Sequence, residues 1–224
     1  MGQPRRDFLG WLGGASILGG GALAPTSAGP SAASEHPAPV TDKWDMSWTE
    51  RINGRFRAVF DAPEISEGAA IFRAVAWGDM YKEVYGTERS EMSPVLVLRH
   101  AAIPLVMSND YWELDGVGKG LKLKDANGRK WATTNPVSAG STSPTDPKAK
   151  YSLEGFLAGG GIVLACNWAF GRLVADLAKR DKLEPAAART KALGLVIPGV
   201  VLQPNGIFAA LRAQEAGCRY VMAS

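Results

Sequence analysis

The sequence predicts a three-layer α/β/α fold with a mostly parallel, five-stranded sheet. Two continuous apolar runs, residues 94–98 and 161–165, are typical of strands that are buried on both faces of a sheet. Segments with helical spacing of apolar residues lie between successive strands, and this alternation indicates parallel strands with helices on both faces. The chain has 224 residues, 46% of them hydrophobic, which is enough for one such domain with appendages.

Each element follows from a local pattern. Residues 55–60 alternate between apolar and polar and predict the first strand, and a helix then lies between Ser66, a capping residue, and Gly86. The predicted strands are, in chain order, 55–60, 94–98, 161–165, 200–202 and 219–222. The predicted later helices are 103–112, 168–179, 186–195 and 207–216.

Residues 116–150 interrupt this alternation between the second and third strands. Asn127-Gly128 stands between two alternating runs, which is the strongest short-range signal for a β-hairpin. Residues 135–150 are rich in Ser, Thr and Pro and predict a long surface loop. We therefore predict an insertion in the α/β domain of residues 51–224. It could be a lid in which Trp131 covers the strand ends, an oligomer arm, or a surface excursion.

The first 33 residues resemble a twin-arginine export signal. Arg5-Arg6 precedes Phe8-Leu9 and a mild apolar stretch rich in glycine, which is short and weakly hydrophobic for a permanent membrane span. Residues 34–50, with several prolines, are predicted to be a linker. The sequence therefore predicts a periplasmic or otherwise exported protein without a permanent membrane span.

Polar residues follow the predicted strands at the points where they end. In open α/β sheets the ligand crevice lies beyond the carboxyl ends of the strands, so these residues are expected to share one edge. The candidate site residues, in chain order, are Asp61, Arg99, His100, Cys166, Asn167, Gln203, Asn205 and Gly206.

Cys166 and His100 are the candidate catalytic residues in this group. Cys166 stands between a buried strand and a helix, so the helix dipole favours its thiolate, a nucleophile that can carry a persulfide; the alternative is an inert buried cysteine. His100 could act as a general base or be a structural histidine. Arg99 could bind an anion or pair with Asp61.

The other candidates are binding residues. Asn205-Gly206 could cap the next helix or offer free amides to an anion such as sulfite, phosphate or carboxylate.

Composition excludes several classes of function. A net charge of +3 gives no reason to expect nucleic acid as a partner. Two cysteines and two histidines exclude a zinc site built from those residues alone, and no metal or cofactor is predicted. Cys166 and Cys218 are predicted at opposite edges of the sheet, too far apart for a disulfide.

Three segments together resemble the DsrE/DsrF-like sulfur-relay family. They are the glycine, apolar strand and terminal cysteine of residues 161–167, residues 198–206, and residues 207–221 with Ala213-Gln214-Glu215-Ala216-Gly217. The resemblance covers roughly residues 55–222 without the insertion. It implies a homo-oligomer and a cysteine at a strand end that holds a persulfide, a position that Cys166 matches. The implied function is sulfur-carrier or thiol-transfer activity with a sulfur donor or acceptor protein; a non-catalytic module that binds a small anion or a partner is the alternative.

Overall fold

The computed structural model describes residues 42–114, 116–125, 128, 130–139, 146 and 148–224. The predicted export signal, with Arg5 and Arg6, lies outside the described residues. Five strands form one all-parallel sheet in the order β4-β3-β2-β1-β5. The strands are β1 (Phe56–Ala62), β2 (Met92–Leu98), β3 (Ile162–Cys166), β4 (Val201–Gln203) and β5 (Arg219–Met222). The predicted five-stranded α/β fold is therefore confirmed.

Seven α-helices are described along the same residues. They are α1 (Ala69–Tyr85), α2 (Asn109–Trp112), α3 (Val117–Gly120), α4 (Leu153–Ala158), α5 (Asn167–Asp181), α6 (Pro185–Gly194) and α7 (Gly206–Glu215). The predicted helix over 103–112 is instead a 3-10 helix, His100–Val106, followed by the single turn α2. Pro104 within that segment lacks an amide hydrogen and disfavours a regular α-helix.

The two faces of the sheet carry separate cores, which gives three layers. Phe60, Leu96 and Val163 belong to the core on one face, with α1, α4, α5 and α6 packed over them. Val59, Val97 and Leu164 belong to the core on the other face, under α7 and a 3-10 helix, Ser47–Arg51. Trp48 of this 3-10 helix is only 1% exposed, so packed structure begins within the segment predicted as a linker.

The insertion is joined to the core of the domain. Lys124 and Trp131 form an antiparallel bridge, as a hairpin requires, although Asn127 lies outside the described residues. The stretch predicted as a surface loop contains two buried residues, Asn135 and Val137. Val137 packs so closely on Gly68 that a Cβ there would lie 2.1 Å from its Cγ1. Apolar contact therefore holds this stretch against the start of α1.

No helix among the described residues is long and apolar enough to cross a membrane. The strand β5 lies at one edge of the sheet, beside β1, and all four of its residues are exposed. Among the described residues its outer backbone edge has no partner strand, and its side chains Val221 and Met222 are exposed. The edge of β5 is therefore open to a further partner.

Candidate functional site

A cavity of about 280 Å³ lies beyond the carboxyl ends of the central strands, and we call it the strand-end cavity. Five of the predicted site residues line it: Arg99, His100, Cys166, Asn205 and Gly206. The other lining residues were not singled out from the sequence: Trp168, Ala169, Arg172 and Ile207. The strand-end rule thus brings five of the eight predicted site residues to one cavity.

Cys166 ends β3 and is at the same time the N-cap residue of α5. Its Sγ accepts a hydrogen bond from the backbone amide of Ala169 at 3.5 Å, in the first turn of the helix. Capping groups are usually oxygens, and a sulfur in this position benefits most from the helix dipole when it carries negative charge. Cys166 is buried but lines the cavity, so its sulfur combines shelter from bulk water with access to a small reactant.

Arg99 follows β2 at the same edge of the sheet as this cysteine. Leu98 pairs with Ala165 across β2 and β3, so the residues that follow them, Arg99 and Cys166, leave the sheet side by side. The pKa of Arg99 is raised, chiefly by its hydrogen bonds to Asp61, with a smaller electrostatic contribution from Cys166. Arg99 and Cys166 both line the strand-end cavity, so a permanent positive charge borders the place where the sulfur is accessible.

Asp61 anchors this guanidinium. Its Oδ1 accepts from Arg99 Nε at 2.8 Å and its Oδ2 from Arg99 Nη2 at 2.9 Å, the bidentate geometry of a strong charge-assisted pair. The hydroxyl of Tyr220 on β5 also donates to Oδ2, at 2.8 Å. Asp61 is only 2% exposed, so these three hydrogen bonds take the place of solvent around its carboxylate. Of the two interpretations left open for Arg99, the structure shows pairing with Asp61.

Gly206 allows α7 to lie against Arg99. A Cβ at this position would lie 2.5 Å from both Cβ and Cδ of Arg99, closer than real Cβ contacts. The preceding Asn205 caps α7, because its Oδ1 accepts from the amide of Phe208 at 2.8 Å. The amino ends of α5 and α7 therefore both border the cavity, and both dipoles favour negative charge there.

His100 lies at the cavity wall in a strained conformation. Its φ is +50°, which is uncommon for a residue other than glycine. Its side chain is 61% exposed, and Nδ1 lies 3.5 Å from Oε1 of Glu64. Its carbonyl accepts from Arg172 Nη2 at 3.0 Å. The described hydrogen bonds do not join His100 to Cys166, so the position fits a residue at the entrance better than a base already in contact with the sulfur.

Three predicted residues lie outside the cavity lining. Gln203 is fully buried, and its amide nitrogen donates to the carbonyl oxygen of Asp45 at 2.9 Å. The side chain of Asn167 accepts from Arg189 Nη2 of α6 at 2.9 Å. Asp61, the third, acts on the cavity through Arg99. The described residues of the insertion do not line the cavity either, so of the three alternatives for the insertion the lid has no support in the cavity lining.

Trp168 and Ile207 form an apolar rim around the cavity. Trp168 is 71% exposed and Ile207 is 62% exposed, on the first turns of α5 and α7. The exposure of Trp168 excludes this side chain from the core of the domain. Large exposed apolar groups beside a polar site are typical of surfaces that contact another molecule.

Comparisons with known proteins do not assign a function to this chain. No protein-family model matches this chain, and no curated protein matches it either.

Proposed function

We propose that this protein is a sulfur carrier in which Cys166 accepts and passes on a sulfane sulfur. The observation that carries the proposal is the position of Cys166 in the strand-end cavity, capped by an amide of α5 and beside Arg99. A thiolate is the form of cysteine that attacks another sulfur, and the amide of Ala169 and the charge of Arg99 stabilise negative charge at this place. The resemblance of residues 161–167 to the DsrE/DsrF-like family supports the same chemistry.

The reaction is an exchange without net oxidation. The Cys166 thiolate attacks the terminal sulfur of a donor persulfide, a new sulfur–sulfur bond forms, and the donor's sulfur–sulfur bond breaks as it leaves as a thiolate. Arg99 and the amide of Ala169 stabilise the negative charge before and after the transfer. Return of the sulfur to an acceptor thiolate is the same step in reverse. His100, at the entrance, takes up or releases the proton of an incoming thiol.

The decisive experiment is the intact mass of the full chain after incubation with polysulfide and removal of the excess reagent. We expect one retained sulfur atom, which dithiothreitol removes. Cys166→Ser should retain none, whereas the matched variant Cys218→Ser should behave like the wild type, because Cys218 is buried in the core under α7. Absence of retained sulfur on the wild type, or its retention by Cys166→Ser, would contradict the carrier function.

Alkylation with iodoacetamide is an independent test of the thiolate. Burial raises the pKa of Cys218 to about 11, so this thiol should stay unlabelled at neutral pH. Cys166 should be labelled at neutral pH, and more slowly after Arg99→Gln. Labelling of Cys166 only at the alkaline pH of an ordinary thiol, about 8.5 or above, would remove the reason to call it a carrier.

The second candidate is a non-catalytic module that binds a partner protein or a small anion at the same cavity. The exposed rim of Trp168 and Ile207 favours a partner protein, since aromatic residues are frequent anchors of interfaces. A wild-type protein that takes up no sulfur but loses a partner on Trp168→Ala would support this function instead.

We further propose that the protein is exported and assembles as a homo-oligomer. Arg5-Arg6 supports export, and replacing both by lysine should retain the protein in the cytoplasm during cell fractionation. The exposed edge of β5, with Val221 and Met222, supports assembly through this strand. Light scattering should give a multiple of the chain mass that falls after Met222→Lys. A monomeric wild type would contradict the assembly.

A further inference from the structure

A second cavity, of about 270 Å³, lies on the α1 side of the sheet, away from Cys166, and we call it the α1–α4 cavity. Its walls come from α1, from the turn that leads into β2, and from α4. Val75, Met92 and Phe156 make its apolar lining, and Arg89 brings a guanidinium to it. None of these residues belongs to the strand-end cavity, so the α1–α4 cavity is independent of the proposed sulfur chemistry.

Arg89 keeps most of its hydrogen-bonding capacity unused. Its Nε donates to the carbonyl of Gly159 at 2.8 Å, and the described residues offer no partner to its Nη atoms. Although Arg89 as a whole residue is exposed, its guanidinium lies deep enough for burial to lower its pKa. The charge of Asp79 opposes this shift, but no described carboxylate lies within ion-pair distance of Arg89. A guanidinium with two free nitrogens presents the planar fork that fits a carboxylate.

The carboxylates around the cavity are already engaged. Asp79 accepts from Lys150 Nζ at 2.7 Å and from the hydroxyl of Tyr151 at 3.3 Å. Glu88 accepts the amide of Glu91 in a capping box. The lysine Lys82 also lines the cavity and has no described ion-pair partner. The lining carries three cations, Lys82, Arg89 and Lys150, against two carboxylates, Asp79 and Glu88, so its formal charge is +1, which favours an anionic ligand.

A glycine inside α1 lines the cavity. Gly78 lies in the middle of α1, where glycine is a poorer helix former than alanine. A Cβ there would meet only Met92 Sδ at 3.7 Å and Arg89 Nη1 at 3.8 Å, which are ordinary contacts. Packing therefore does not require glycine at this position, and the space that an alanine methyl would fill belongs to the cavity, next to the guanidinium.

We propose that the α1–α4 cavity binds a small organic monocarboxylate. The carboxylate lies on the Nη atoms of Arg89, with Lys82 at the rim, and the apolar body of the ligand packs on Val75, Met92 and Phe156. The apolar lining favours an organic acid over an inorganic anion, because an inorganic anion has no apolar part that could pack on these side chains. The small volume limits the body to about one ring or a short chain, since drug-sized ligands occupy about 300–1,000 Å³.

Sodium benzoate is the probe, titrated into the full chain at constant ionic strength and followed by calorimetry or by amide shifts in NMR. We expect saturable binding at millimolar concentrations, and no binding of benzyl alcohol or of sulfate in the same range. Arg89→Gln should weaken benzoate binding about tenfold or more, because a charge-assisted pair is lost. The matched control is Arg51→Gln, which should bind like the wild type, because Arg51 is an exposed arginine that also donates to a backbone carbonyl, that of Gly161, and does not line this cavity.

Gly78→Ala provides a second test that does not touch the charge. Its added methyl should weaken benzoate binding severalfold while α1 stays folded by circular dichroism, so the proposal remains testable if Arg89→Gln does not fold. Three results would overturn the proposal: no saturable binding to the wild type, equal affinity for benzyl alcohol, or affinity unchanged by both Arg89→Gln and Gly78→Ala. Sulfur uptake by Cys166 should be unaffected by either variant.

Discussion

Asp61→Asn should lower the free energy of unfolding by about 2–4 kcal/mol. Asp61 is nearly inaccessible and accepts three hydrogen bonds, two from Arg99 and one from Tyr220. Asparagine keeps one acceptor oxygen but loses the charge and turns an NH₂ group towards a donor. Breaking a buried pair from one side costs about 3–5 kcal/mol, and the partial exposure of the Arg99 side chain, 27%, lowers that figure.

The chain offers a matched control in Asp79→Asn. Asp79 also binds one cation, Lys150, and one tyrosine hydroxyl, that of Tyr151, but this group lies at the surface with the Asp79 side chain 41% exposed. Its loss should cost less than about 1 kcal/mol. Urea unfolding followed by tryptophan fluorescence measures both variants, provided that the slope with urea is unchanged. Equal losses, or a loss below about 1 kcal/mol for Asp61→Asn, would refute the claim that the buried network stabilises the site.

Three further predictions concern other parts of the fold. Gly206→Ala should destabilise the protein by about 1–3 kcal/mol and slow alkylation of Cys166 at neutral pH, because its methyl displaces Arg99; unchanged alkylation would mean that Arg99 does not act on the sulfur. Burial raises the pKa of Cys218 to about 11. The stability that its neutral thiol contributes below about pH 9 should therefore be lost as the pH rises towards 11. In urea unfolding, Cys218→Ala should lose less stability than the wild type between about pH 9 and pH 11. Asn135→Ala should cost about 2–4 kcal/mol in the same assay, because the buried amide donates to two backbone carbonyls, and a loss near zero would show that the insertion is not anchored there.

The strands could be predicted, and so could the meeting of the site residues at one edge of the sheet, because both depend on local rules. Buried parallel strands are continuous apolar runs, and their carboxyl ends share one edge, so Arg99, His100 and Cys166 could be placed together before the structure was known. The side of the sheet on which a strand-end residue projects is not a local property. Gln203 projects under the 3-10 helix of Ser47–Arg51 and contacts Asp45 instead of the cavity.

Contacts between residues that are distant in the sequence could not be predicted from its apolar and polar pattern. Tyr220 reaches Asp61 only because β5 pairs with β1. The order of the strands in the sheet cannot be derived from the periodicity of apolar residues in the sequence. Val137 lies in a stretch of loop-like composition, and its burial depends on the space left by Gly68, far away in the sequence. Trp168 follows Cys166 in the first turn of α5, and only the position of that turn beyond the sheet edge shows that its ring is exposed.

The pairing of β5 with β1 has a consequence for the order of events during synthesis. Among the five described strands β1 is synthesised first, yet one of its two neighbours is β5, which is synthesised last of the five, and contacts so distant in sequence form slowly. Until then the β1 edge is bare, and Asp61 and Arg99 lack the hydroxyl of Tyr220. Nascent chains paused before β5 should therefore be substrates for chaperones. The cysteine site would acquire its final electrostatics only after translation of the domain is complete.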